Sequence, residues 1–159
     1  MKAARIAMAT ALAVTSWAVF AKPAAPAAPA PQDIVAAREA GMAMSAATLG
    51  ALKAGSANGA PIKGLGFAAG ALDKWAKAMP ALFAPSTRGL PSRAKPEIWT
   101  DPAGFAAKAA ALASATKTLS AAARAEDKDA FATALASTGA ACKGCHDSFQ
   151  TPPPAPKAG

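Results

Sequence analysis

Residues 127–149 read DKDAFATALASTGAACKGCHDSF, and the order of side chains in this stretch settles how the chain folds. Phe131, Leu135, Thr138, Cys142, Cys145 and Phe149 recur at steps of four, three, four, three and four. That is a heptad-like seam along one face of an α-helix, not the alternation of a strand. The spacing predicts a helix over about 127–149, with both cysteines on its buried seam and His146 beside it.

The same stretch carries Cys142-Lys143-Gly144-Cys145-His146, and the chain has no other cysteine or histidine. Cys-x-x-Cys-His is the attachment signature of a c-type haem. Two thiols add across the two porphyrin vinyl groups, and the adjacent imidazole ligates the iron. On a helix, Cys142 and His146 are four apart and share a face, with Cys145 one turn from Cys142. One short stretch of backbone can therefore make both thioether bonds and the iron bond. Other readings fit less well. A structural zinc site wants four ligands and only three are present; a catalytic zinc could use three, but three within five consecutive residues do not easily spread around a tetrahedron. A redox dithiol would lie near a βαβ pattern, and none is visible. A disulfide across two residues would close a loop too small to stabilise much. The pentad therefore predicts one covalent haem c, held by Cys142 and Cys145 and ligated axially by His146.

The N-terminus fits that chemistry. Lys2 and Arg5 precede an apolar run from Ile6 to Phe20, and small residues flank Phe20 in Val19-Phe20-Ala21. This reads as a secretory signal peptide over 1–21, cleaved after about Ala21, and too short to span a bilayer. Haem attachment in bacteria follows export, so the two signals agree on a periplasmic protein with no membrane anchor in its mature form. Removing Lys2 and Arg5 lowers the formal charge from +8 to +6. Residues 22–31 are almost only Ala and Pro and read as an extended linker. Residues 151–159 repeat that composition and read as a disordered tail. One domain remains, about 32–150.

Composition fixes its class. Beyond the signal, Ile34, Val35, Ile62 and Ile98 are the only β-branched aliphatics, whereas strands want many. Alanine, the strongest helix former, dominates. The expected fold is all-α, an antiparallel up-down four-helix bundle enclosing the haem. Asp101-Pro102 supplies a cap and a first helical residue for a helix carrying Phe105, Leu112 and Leu119. A turn near Ala125-Glu126-Asp127 makes it an antiparallel neighbour of the last helix. A first helix carries Ile34, Arg38, Met42, Ser45, Leu49 and Leu52, stopping near Gly55 to Gly59. A second, about 61–79, turns Ile62, Leu65, Leu72, Trp75 and Met79 inward. A longer loop, about 80–100, joins the two pairs. Gly64-Leu65-Gly66 and Gly70 lack the preceding strand that a dinucleotide loop requires, and are expected to permit close helix packing.

The pentad on the last helix, Arg38 with Met42 four later, and Ala94-Lys95-Pro96-Glu97-Ile98-Trp99-Thr100-Asp101 before the third helix together resemble the cytochrome c′ family. Met79-Pro80 followed by Phe83 is similar to the family's second-helix end. The resemblance covers about 32–149. It implies a five-coordinate iron with His146 as sole protein ligand, an apolar distal pocket admitting nitric oxide and carbon monoxide, and a homodimer through the first two helices. By the same resemblance Arg38 lies near a haem propionate, Glu39 contacts the haem and Met42 covers the distal face. One position departs: the family usually has a basic residue four after the haem histidine, and this chain has Gln150, which hydrogen-bonds without charge. Loss of that charge favours the ferric state.

The sixth coordination position divides two functions. Met42, Met44 and Met79 are the methionines outside the signal, and Met/His ligation raises the reduction potential. If Met42 binds iron, as a first-helix methionine does in low-spin relatives, the protein is an electron carrier. If Met42 only fills space, as flexible methionines do, the iron is open to gases. Glu97 and Trp99 are expected to anchor the loop, and Trp75 to lie in the core or a dimer interface. The basic residues are scattered, which argues against nucleic-acid binding, although a positive surface steers acidic redox partner proteins at low salt. No nucleophile–base pair or carboxylate dyad points to an enzyme.

Overall fold

The computed structural model describes residues 28–153. The expected signal peptide lies outside them, as do most of the linker and the end of the tail. Five helices follow in order: α1 (Pro31–Ala57), α2 (Ile62–Ala78), the single turn α3 (Glu97–Thr100), α4 (Pro102–Arg124) and α5 (Lys128–Phe149). Two 3-10 turns, Met79–Leu82 and Pro85–Thr87, shape the long connection after α2. No strand forms among the described residues. The expected linker gives way to helix at Pro31, where proline occupies the first turn and costs no hydrogen bond. The expected loop over 80–100 is partly helical for the same reason: Pro80, Pro85 and Pro96 each stand at a helical start.

Local chemistry sets the ends of the long helices. The Asp101 carboxylate accepts from the Gly104 amide at 2.9 Å, and Asp127 accepts from Ala130 at 3.0 Å, so both C-terminal helices are capped. At the end of α1 the Ala60 amide donates to Gly55 and the Gly59 amide to Ser56, with Gly59 at φ +73°. The end of α4 repeats this pattern, with Asp127 donating to Ala122 and Glu126 to Ala123. Both are the left-handed stop that satisfies the last carbonyls. Glu126 takes the conformation at φ +56° with a Cβ in place, which glycine would do at lower cost.

α4 packs extensively on both α2 and α5, α1 packs on α2, and α1 meets α5 only sparingly. The bundle is therefore closed on three sides and parted on the fourth. Its apolar interior is divided lengthwise. At one end Leu52, Ile62, Leu72, Leu119, Phe131 and Leu135 form one buried core. At the other end Met79, Ile98, Phe105, Cys145 and Phe149 form a second cluster, with Met42, Trp75 and Phe83 packed against it. In that second cluster Phe105 meets Phe83 and Phe149 edge-to-face, with ring centroids 4.9 and 5.5 Å apart.

Gly64 and Gly66 do not serve close packing as expected, because a Cβ at either would enter open space. Gly41 does: a Cβ there would overlap the six-membered ring of Trp75, so α2 can press its indole onto the backbone of α1. This sets two effects against each other. Alanine is about 1 kcal/mol better than glycine inside a helix, but overpacking a fitted contact costs typically 1–3 kcal/mol. Gly41→Ala is expected to be net destabilising, read as a lower denaturant midpoint of the holoprotein. A raised midpoint would show that α1 and α2 separate freely there.

Candidate functional site

A cavity of about 610 Å³ opens between α1 and α5, on the parted side of the bundle. That is within the range of cofactor pockets, roughly 300–1,000 Å³. α1 contributes Arg38, Glu39 and Met42; α5 contributes Cys145, His146 and Phe149; Met79, Phe83, Ile98 and Phe105 complete an apolar wall. A smaller space of about 110 Å³ adjoins it, lined by Cys142 together with Met42, Cys145 and His146. The residues singled out from the sequence are thus brought together.

On α5 the helical register does what the spacing requires. Cys145 is buried, Cys142 half-buried, and His146 exposed at the edge of the seam. The two sulfurs are not joined to each other. Burial, the leading cause for both, holds each thiol above its ordinary pKa, and for Cys145 the neighbouring Cys142 adds to the rise. His146, although open to solvent on one side, is held below the ordinary imidazole value, first by desolvation of its covered part and next by the positive charge of Arg93. Both effects favour the neutral imidazole, the form that can ligate a metal.

Arg38 is only 3% exposed. Its Nη1 donates to the Leu82 carbonyl at 3.1 Å and to Thr87 Oγ1 at 3.4 Å, and its Nη2 donates to Ser92 Oγ at 3.2 Å. The guanidinium carbon stands 4.5 Å from the centre of the Phe83 ring. Burial lowers its pKa, offset in part by Glu39, yet an arginine remains charged. Among the described residues no carboxylate pairs with it in a salt bridge. A buried cation with only neutral partners is costly unless a carboxylate arrives.

The connection after α2 closes the end of the site. Ala94 bridges Gln150 in antiparallel fashion, with the Thr151 amide donating to Arg93 at 2.9 Å and the Lys95 amide to Phe149 at 3.0 Å. The Lys95 ammonium donates to the carbonyls of Asp147 and Ser148, where a cation suits a helix C-terminus. Trp99 fastens the connection as expected, donating from Nε1 to the Phe83 carbonyl at 3.0 Å, whereas Glu97 is exposed. Arg93, Thr87 and Ser92 were not legible as site residues, because no periodicity marks a loop residue whose partner lies more than 40 positions away.

This donor set fits a haem: two thiols and an imidazole on one helix turn, a cofactor-sized cavity with an apolar wall beside them, and a buried guanidinium in no salt bridge. A helical bundle so equipped is a bundle-type c cytochrome, and the comparisons agree. The sequence matches the family model for Cytochrome C' over residues 33–150. It is 45% identical over 69 residues to cytochrome c' of Rubrivivax gelatinosus, a match covering 43% of this chain and 54% of the relative. The chain thus spans about half the length of the curated relatives it matches. Among solved structures, the nitric oxide complex of a variant of cytochrome c prime from Alcaligenes xylosoxidans superposes with a TM-score of 0.71 at 32% identity, over 77% of this chain and 97% of that one. A cytochrome c' described as having ligand-controlled dimer dissociation gives a TM-score of 0.74 at 27% identity, over 79% and 100%. The chain belongs to the cytochrome c′ family. Proteins of this family carry one covalently bound haem c.

Proposed function

We propose that this protein is a periplasmic c-type cytochrome that binds nitric oxide and carbon monoxide at a five-coordinate haem. Cys142 and Cys145 would hold the haem through thioether bonds and His146 would be its protein ligand. When bound, the haem supplies an iron that can exchange one electron and accept a small ligand. Arg38 would pair with a propionate, for which its fork of donors is suited, and Glu39, next to it on α1, would contact the haem. The nitric oxide complex of a relative supports the choice of ligand. The dimer dissociation described for another supports a homodimer, which we place at the first two helices. Among the described residues no helix is long and apolar enough to cross a membrane.

The observation that carries this reading is the surroundings of Met42. Its side chain faces the cavity and is also packed, like Trp75 and Phe83, against the apolar cluster of Met79, Ile98 and Phe105. An apolar wall excludes water and charged competitors while admitting small uncharged gases. The alternative, Met42 as sixth ligand of an electron-transfer cytochrome, draws on its presence with His146 in both cavities. Absorption and EPR spectra of the holoprotein decide. A high-spin spectrum that shifts on adding carbon monoxide is expected. A low-spin spectrum that ignores carbon monoxide and turns high-spin in Met42→Ala would establish the alternative.

A further inference from the structure

Position 150, four after the haem histidine, is a neutral glutamine, yet the structure places a cation against it. We propose that Arg93, reaching from the connection after α2 and clamped by Gln150 and Thr151, supplies the positive charge that sets the ferric–ferrous balance on the His146 side of the pocket. This rests on the haem reading above.

Three features carry it. The first is placement: Arg93 and Gln150 line the same cavity as His146. The second is fixity. Arg93 donates from Nε and Nη2 to the Thr151 carbonyl at 2.9 and 2.7 Å, and from Nη2 to Gln150 Oε1 at 3.2 Å. The Thr151 amide returns a bond to the Arg93 carbonyl at 2.9 Å, so backbone and side chain are locked in one register. An exposed arginine ordinarily samples many rotamers and its field averages out; this one is held through Nε and Nη2.

The third feature is that the charge is not cancelled. All of those acceptors are neutral, and among the described residues Arg93 joins no salt bridge. The neighbouring carboxylate, Asp147, is taken by Lys143 at 2.6 Å. Lys95, on the same strand of backbone, spends its bonds on carbonyls and adds a second positive charge. Glu39 is the acidic group lining the cavity, and it comes from the α1 wall. Gln150 then completes the clamp, because its amide oxygen accepts from the guanidinium, which a basic residue at 150 would repel.

A nearby positive charge favours the reduced iron, which carries one charge fewer. Redox potentiometry of full-length holoprotein tests this, with covalent haem confirmed by mass in every variant. Haem absent from the wild type would fail the underlying reading rather than this one. Arg93→Gln is expected to shift the equilibrium toward ferric by about tenfold at low ionic strength, ~59 mV for a one-electron couple. Arg93→Lys keeps the charge but loses the two-donor clamp, and is expected to fall between wild type and Arg93→Gln. The difference between Gln and Arg should shrink as salt approaches about 0.1 M, where the screening length is about 10 Å. Arg93→Gln within twofold of wild type would overturn the proposal. So would Arg93→Lys falling as far as Arg93→Gln, or a difference indifferent to salt, since each would mark the clamp as structural only.

Discussion

A Cys142→Ala/Cys145→Ala chain, produced in a host competent for cytochrome maturation, is expected to yield its haem completely to acidified acetone, where the wild type retains it. The reason is chemical: the chain has no third cysteine, so removing both leaves no sulfur for a thioether. The single variants should differ in degree. Cys145 is buried against Met79, Phe105 and Phe149, whereas Cys142 is half-buried beside the smaller space. Each single variant should keep one bond and resist extraction. Mass spectrometry checks all three, because the covalent adduct carries the mass of the macrocycle and the double variant should not. Haem that stays bound to the double variant in acid acetone would contradict attachment through these sulfurs.

The second large effect is expected far from the haem. Phe131 is fully buried, and it is packed in the core with Leu52, Ile62 and Leu119. Phe131→Ala deletes a ring that nothing else can replace, and such changes cost about 3–5 kcal/mol. Against a typical total stability of about 5–15 kcal/mol, that is a large share. Denaturant unfolding of the holoprotein should show a strongly lowered midpoint while the visible absorption spectrum at zero denaturant stays put, because Phe131 does not line the haem cavity. A loss under about 1 kcal/mol, well below the usual range for such a deletion, would mean that the helices close over the gap. A changed spectrum would mean that the two ends of the bundle are coupled.

The parts of this molecule that were legible in its sequence are those whose cause is local. The seam from Phe131 to Phe149 is a repeat of three and four residues, and α5 follows it from Lys128 to Phe149. Asp101-Pro102 carries its own cap and start signal, and α4 begins there. The haem pentad needs only its spacing. Arg38 stands out only through a family resemblance, and its burial has no local cause: Leu82, Thr87 and Ser92 reach it from 44 to 54 residues away. Arg93 left no trace at all, because its meaning comes from Gln150, 57 residues on. The glycines were misread in the same way. Gly41, in the middle of α1, meets a neighbour on α2, and only the position of Trp75 shows why.

The lengthwise division of the interior has a consequence for how this protein can change. Its stability and its chemistry draw on separate sets of side chains: Leu52, Leu119 and Phe131 at one end, Met42, Phe83 and Ile98 at the other. The two sets meet at the smaller space, which Leu72 lines beside Met42 and Met79; substitutions farther apart, with no partner in common, add nearly independently. A lineage, or an engineer, can therefore vary the haem pocket around α1 and the loop without renegotiating the far end of the fold. A sturdier far end widens the repertoire of pocket variants that still reach a folded state.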